Sequence, residues 1–117
     1  MYEIRKTVQF DVWFKGIKDP VSQKRLLVRL RKASLGNLGD VRPIANGIWE
    51  MREHFGVGWR MYYTMVGKVV VVMLGGGSKA TQSSDIKQVK RILENLEDWM
   101  NQIKKKKINE LALFDVA

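Results

Sequence analysis

Cysteine is absent from the 117 residues, and histidine occurs once. The first absence excludes disulfides and thiolate metal sites; the second leaves no imidazole cluster, so no metal or other cofactor is expected. Long apolar runs are also missing. The stretch Val69 to Leu74 is far too short to cross a bilayer. Tyr2 to Phe10 mixes charged with apolar residues where a signal peptide would place a basic stretch and then an apolar one. No repeat, low-complexity stretch or long linker interrupts the chain. With 45% apolar and 28% charged residues the composition is that of a globular domain, and a cytoplasmic location without membrane contact is expected.

What the sequence has in excess is positive charge. Twenty-one Lys and Arg face twelve Asp and Glu, a net charge of +9. In a chain this short such an imbalance points to a polyanionic partner, with simple solubility as the bland alternative.

One domain is expected over residues 1–107, followed by a tail, 108–117. Tyr2 to Gln9 alternates like a strand, and Phe10 to Lys18 suits a short helix. Asp19-Pro20 has the form of an N-cap with proline at the first helical position, opening a helix that ends near Leu35 before Gly36. In that helix Val21, Leu27, Leu30 and Leu35 are expected to face the core. Arg25, Arg29 and Lys32 recur on the other side, either as a solvated face or as a groove for nucleic-acid backbone. Short strands follow at Val41 to Ala45, Ile48 to Phe55, Trp59 to Val66 and Lys68 to Leu74, the last β-branched enough for a strand covered on both faces. Ser83 or Ser84 can cap a final helix whose apolar residues from Ile86 to Ile103 keep a 3.6-residue period. The fold class is α+β: an antiparallel meander packed on two N-terminal helices and one C-terminal helix, in the order β-α-α-β-β-β-β-α.

The segment from Ile48 to Met65 is the richest in chemistry. Side chains alternate across a strand, so Trp49, Met51 and Phe55 share a face with Trp59, Met61, Tyr63 and Met65. The opposite face collects Glu50, Arg52 and His54 with Arg60, Tyr62 and Thr64, and is expected to meet solvent. A three-residue turn would set His54 against Arg60 and Arg52 against Tyr62. Two guanidiniums on rigid strands can grip a phosphate, and histidine is the side chain whose ordinary pKa lies nearest neutrality. Gly75-Gly76-Gly77-Ser78-Lys79 reads as a glycine-rich turn that places a lysine beside the last helix. It lacks the P-loop spacing, and a plain connection is its simplest meaning.

Three elements in order resemble the HigB-type branch of the RelE/ParE toxin superfamily, often labelled phage-derived or addiction-module killer proteins. They are Leu38-Gly39-Asp40-Val41-Arg42; Trp49-Glu50-Met51-Arg52 with Gly58-Trp59-Arg60-Met61-Tyr62-Tyr63; and Gly76-Gly77-Ser78-Lys79-Ala80-Thr81-Gln82 with Asp85-Ile86. The similarity runs from about Phe10 to Ile103. Ser78 stands where that family usually has an aspartate, and the lysines at 104–107 with the following tail extend beyond its pattern.

The resemblance implies a toxin of a type II toxin-antitoxin pair: an endoribonuclease that cuts messenger RNA in the ribosomal A site beside ribosomal RNA, restrained by a cognate antitoxin. For metal-free attack by a 2′-OH on the adjacent phosphate, it assigns Arg52 and Arg60 to the phosphate and Lys79 to anchoring or leaving-group stabilisation. His54 or Glu50 becomes the proton acceptor. Tyr62 would stack on a base, and Arg25, Arg29, Lys32, Thr81 and Gln82 would contact RNA. Arg60→Ala is expected to abolish growth inhibition with the fold intact. Two rivals remain at this point: a ParE-like gyrase poison, and a non-catalytic basic nucleic-acid-binding module.

Overall fold

Two side-chain caps set where the first helices begin. In the computed structural model, which describes the backbone of residues 1–109 and the side chains of residues 1–99 and Asn101, β1 (Glu3–Lys6) runs into α1 (Val8–Lys15). The Thr7 hydroxyl accepts from the Phe10 amide at 3.1 Å. Asp19 then opens α2 (Pro20–Ser34), accepting from the Val21 amide at 3.2 Å and the Ser22 hydroxyl at 2.6 Å. There follow β2 (Val41–Ala45), β3 (Ile48–Arg52), β4 (Arg60–Val66), β5 (Val70–Gly77), a 3-10 turn at Lys79–Thr81 and α3 (Gln82–Asn109). This is the α+β order expected. The anticipated 108–117 tail begins within the last two residues of α3, and from 110 it lies outside the described residues. Among the described residues no helix is long and apolar enough to cross a membrane.

The five strands form one sheet in the order β1-β5-β4-β3-β2. β2 to β5 make the antiparallel meander, while β1 joins β5 in parallel. Local alternation does not specify that parallel pairing, because its partners, such as Glu3 and Val70, lie 67 residues apart in the chain. On one face Met51, Met61, Tyr63, Val71 and Met73 pack with Phe10 of α1 and Leu26, Leu30 and Ala33 of α2. On the other, Ile48, Tyr62, Val72 and Leu74 pack with Val89, and around them lie Ile86, Ile92, Leu93 and Leu96 of α3. β5 therefore feeds both cores with alternate residues, as its β-branched run suggests.

Four expectations need correction. The polar hairpin face does not lie open to solvent, because α3 must bury its apolar stripe and Ile48, Val72 and Leu74 offer it a surface on that side. The buried side of α2 is Ser22, Leu26, Arg29, Leu30 and Ala33, while Val21, Leu27 and Leu35 are exposed. A 3.6-residue stripe through Leu26, Leu30 and Ala33 decides the orientation, whereas the scattered apolar set fits no single face. Gly75 to Gly77 are the end of β5 and not a turn. A Cβ at Gly76 would collide with the Trp13 ring, and one at Gly77 with the Asp85 carboxylate, so these glycines let α1 and α3 approach the strand. The serine cap is also displaced: α3 already begins at Gln82, and Ser78 with Thr81 forms a capping box one turn earlier.

Candidate functional site

β3 stops at Arg52 and β4 starts at Arg60, so residues 53–59 form a longer loop than the expected three-residue turn. Arg52 pairs with Arg60 and Glu50 with Tyr62. Relative to the register expected this is a shift of an even number of residues, which leaves every side chain on its anticipated face. The Glu53 amide donates to the Trp59 carbonyl at 2.9 Å, and the Gly58 amide to the Phe55 carbonyl at 3.0 Å. Gly58 has φ of +73°, and a Cβ there would lie 3.1 Å from the Lys79 Cβ. A glycine is thus needed for both the turn and the close approach. The Lys79 amide donates to the Val57 carbonyl at 3.3 Å, tying the 3-10 turn to this loop. Between them opens a cleft of about 260 Å³ lined by His54, Arg60, Lys79 and Glu53 and by Gly56 to Gly58.

Arg60 is only 7% exposed. Its Nη1 donates to the carbonyls of Glu53 at 3.0 Å and Trp59 at 3.2 Å, and its Nε lies 3.7 Å from Glu50 Oε1. Glu50 is 0% exposed: Oε1 also faces Arg42 Nε at 3.5 Å, and Oε2 accepts from Gln82 Nε2. The two loop carbonyls therefore hold Arg60, with the Glu50 carboxylate in ion-pair range behind it and without access to a substrate hydroxyl. This removes Glu50 from the candidate bases. Arg60→Ala would also leave that carboxylate buried without its nearest deep cation, at a cost of about 3–5 kcal/mol. The buried pair thus leads to an expected loss of stability for that variant, where the sequence alone leads to an intact fold.

His54 is an exposed side chain, and its Nε2 lies 2.8 Å from Asp40 Oδ2. Asp40 Oδ1 accepts from Arg52 Nη2 at 3.0 Å. The hydrogen bond from His54, followed by that from Arg52, holds the Asp40 carboxyl below the usual carboxylate range. An ionised carboxylate only accepts, so the imidazole Nε2 must donate, and Nδ1 is left as the atom that exchanges a proton. In the sequence Asp40 stands out only as part of a motif. The signal that would have found it is register: the Arg52 amide donates to the Asp40 carbonyl at 3.0 Å, which places acid and guanidinium across adjacent strands.

The remaining expected contacts are mostly committed elsewhere. Tyr62 is fully buried under α3, and burial, then Glu50 and Asp85, raises its phenol's pKa, so it does not present a face for stacking. Arg29 is buried. It donates to the carbonyls of Leu38, Asp40 and Arg52 and to Glu53 Oε1 at 2.8 to 3.1 Å, a staple between α2 and the start and end of the β2–β3 pair. Gln82 is spent on Glu50. The Thr81 hydroxyl is shared between the Ser78 amide and the Asp85 carboxylate. Arg25 lies over the Phe55 ring at 3.7 Å, and Lys32 is exposed along the same helix. Arg25 and Lys32 border a groove on the far side of residues 53–55 and stand outside the cleft.

The structure thus brings His54, Arg60 and Lys79 to one cleft, attaches Arg52 to it through Asp40, and buries Glu50 and Tyr62 behind it. The arrangement offers a cation at the rim, a buried guanidinium at the wall and one proton-exchanging nitrogen, a set suited to an anionic ester. Among the described residues, no group of three or more His, Asp or Glu side chains is placed to hold a metal ion.

Comparison with known proteins places the chain. The family described as Phage derived protein Gp49-like (DUF891) matches residues 13–97. A Haemophilus influenzae (strain ATCC 51907 / DSM 11121 / KW20 / Rd) protein, described as "Uncharacterized protein", is 35% identical over 94 residues, covering 80% of this chain and 95% of its own length. No solved structure matches the sequence. This match corrects the resemblance to the HigB-type branch of the RelE/ParE superfamily, which is a different family. The motifs that suggested it are dominated by Glu50, Met51, Met61, Tyr62, Tyr63 and the β5 glycines, residues that build the sheet and its two cores and so report packing more than chemistry. From Trp13 to Glu97 the chain carries the pattern of the Gp49-like phage-derived proteins, and it belongs to that family.

Proposed function

We propose that this Gp49-like protein is a toxin that cuts messenger RNA on the ribosome and is restrained by a cognate protein antitoxin. The observation that carries the reading is the meeting of His54, Arg60 and Lys79 around one cleft, with the His54 ring anchored by Asp40. In this mechanism His54 Nδ1 takes the proton of a ribose 2′-OH. The freed oxygen attacks the adjacent phosphorus, and the bond from phosphorus to O5′ breaks. The products are a 2′,3′-cyclic phosphate and a 5′-hydroxyl, the departing oxygen taking its proton from solvent or from the Lys79 ammonium. Arg60 and Lys79 stabilise the charge on the five-coordinate phosphorus. Glu50, buried and paired, positions Arg60 and moves no proton.

A non-catalytic nucleic-acid-binding role is favoured by one observation: Arg52 and Arg60 are already paired with Asp40 and Glu50, which lowers the charge they offer a phosphate. A translation reaction supplied with the purified chain separates the two. The cutting reading predicts discrete message fragments that require translating ribosomes and disappear with Lys79→Ala, a fold-sparing change at an exposed side chain. Intact message with translation inhibited in proportion to bound protein would replace it with the binding role.

A further inference from the structure

The face of α2 turned away from the sheet carries more apolar surface than a solvated helix needs. Val21 is 67% exposed and Val28 44%, and with Phe55 they floor a groove of about 390 Å³. Lys24, Arg25 and Lys32 rim it. Val21, Arg25, Val28 and Lys32 recur at helical spacing, a stripe about 16 Å long at 1.5 Å per residue. The groove's far wall is built. Arg29 is stapled to Glu53 Oε1 at 2.9 Å, and Arg25 lies flat over Phe55 at 3.7 Å, which holds the 53–55 segment beside the helix.

We propose that this groove docks an acidic amphipathic helix of a protein partner. The floor asks for aliphatic side chains at successive turns, and the rim asks for carboxylates flanking them. A nucleic-acid strand satisfies only the rim, since phosphate and sugar leave two exposed valines uncovered. The surface is separate from the proposed catalytic cleft, although Glu53 lines both, so an occupant sits next to the cleft without filling it. The proposal concerns which face the partner takes, and it holds whether or not the cleft cuts RNA.

The test is a titration of the isotope-labelled full chain followed by backbone-amide NMR. One probe is a helical peptide of about 20 residues with leucines at i, i+4, i+7 and i+11 flanked by glutamates; the other is a single-stranded oligouridylate. The peptide should shift amides from Val21 to Lys32 and at Phe55, and Val28→Asp, a change at an exposed position, should weaken it at least about tenfold. Oligouridylate should leave these amides in place and act at His54, Gly58 and Lys79. No shift on α2 with the peptide, equal binding to the Val28→Asp chain, or α2 shifts caused by oligouridylate would each overturn the docking surface. Peptide shifts on α2 without any RNA effect at the cleft would support the groove and count against the nuclease reading alone.

Discussion

At the scale of single residues, the decisive arrangement is a carboxylate shared by an imidazole and a guanidinium. Asp40 accepts from both His54 and Arg52, and it fixes which histidine nitrogen is free. Asp40→Asn presents an amide that can donate to Nε2, moving the proton to Nδ1 and removing the acceptor. Cleavage should fall by about 10²-fold, a general-base effect, with message binding retained. The linkage has a definite sign. The Asp40 carboxyl is held below its ordinary value, so its contribution to stability is full above that value, near pH 3.8, and is lost as pH falls through the lower folded one. Melting curves of wild type and Asp40→Asn should therefore converge only in strong acid; convergence already near neutrality would mean that the clasp does not form. Tyr62 runs the other way. Its raised pKa gives a contribution that is full below the ordinary phenol value and lost as pH rises beyond it. Among the described residues its buried hydroxyl has no hydrogen-bond partner. Tyr62→Phe should leave stability at neutral pH unchanged or slightly raised, extend it to higher pH, and leave RNA cleavage intact. Loss of RNA affinity in that variant would restore Tyr62 as a contact.

At the scale of elements, the sheet's site depends on a staple from a helix. Arg29 reaches from α2 to the carbonyls that end β3 and precede β2, and it pairs with Glu53 at 2.9 Å. Arg29→Met strands those acceptors and should cost about 3–5 kcal/mol by chemical denaturation. A cost under about 1 kcal/mol would mean that the loop before β2 holds itself. How much of this was legible follows from the type of signal. The Asp19-Pro20 cap, the limits of β2 and the assignment of hairpin residues to faces rest on local rules, and each was readable. The covering of the Glu50 face was not, since it depends on where α3 lands, and that is settled by Ile48, Val72 and Leu74 from separate strands. Arg29 read as a surface residue because arginine is seldom buried; only tertiary structure reveals the carbonyls awaiting it. Among the catalytic candidates, His54, Arg60 and Lys79 were named from the sequence, whereas Asp40 required the β2–β3 register.

At the scale of the whole molecule, the two candidate surfaces separate by face. α1 and α2 close one core and α3 the other, which leaves the loop end of the β3–β4 hairpin as the cleft and the outer side of α2 as a groove. A net charge of +9 suits approach to a polyanion, as the proposed action on ribosome-bound message requires. Gly76 shows how tightly the layers are set: Gly76→Ala drives a methyl into Trp13 and should destabilise the protein by about 1–3 kcal/mol. In the proposed function RNA is cut at the cleft by a histidine held in place by an acid. The most direct measurement is the chemistry of the fragment ends left on a translated message by wild type and by His54→Gln at equal folded concentration. Wild type should leave 2′,3′-cyclic phosphate and 5′-hydroxyl ends, and His54→Gln about 10²-fold fewer fragments. Ends bearing a 5′-phosphate, or undiminished cutting by His54→Gln, would contradict it.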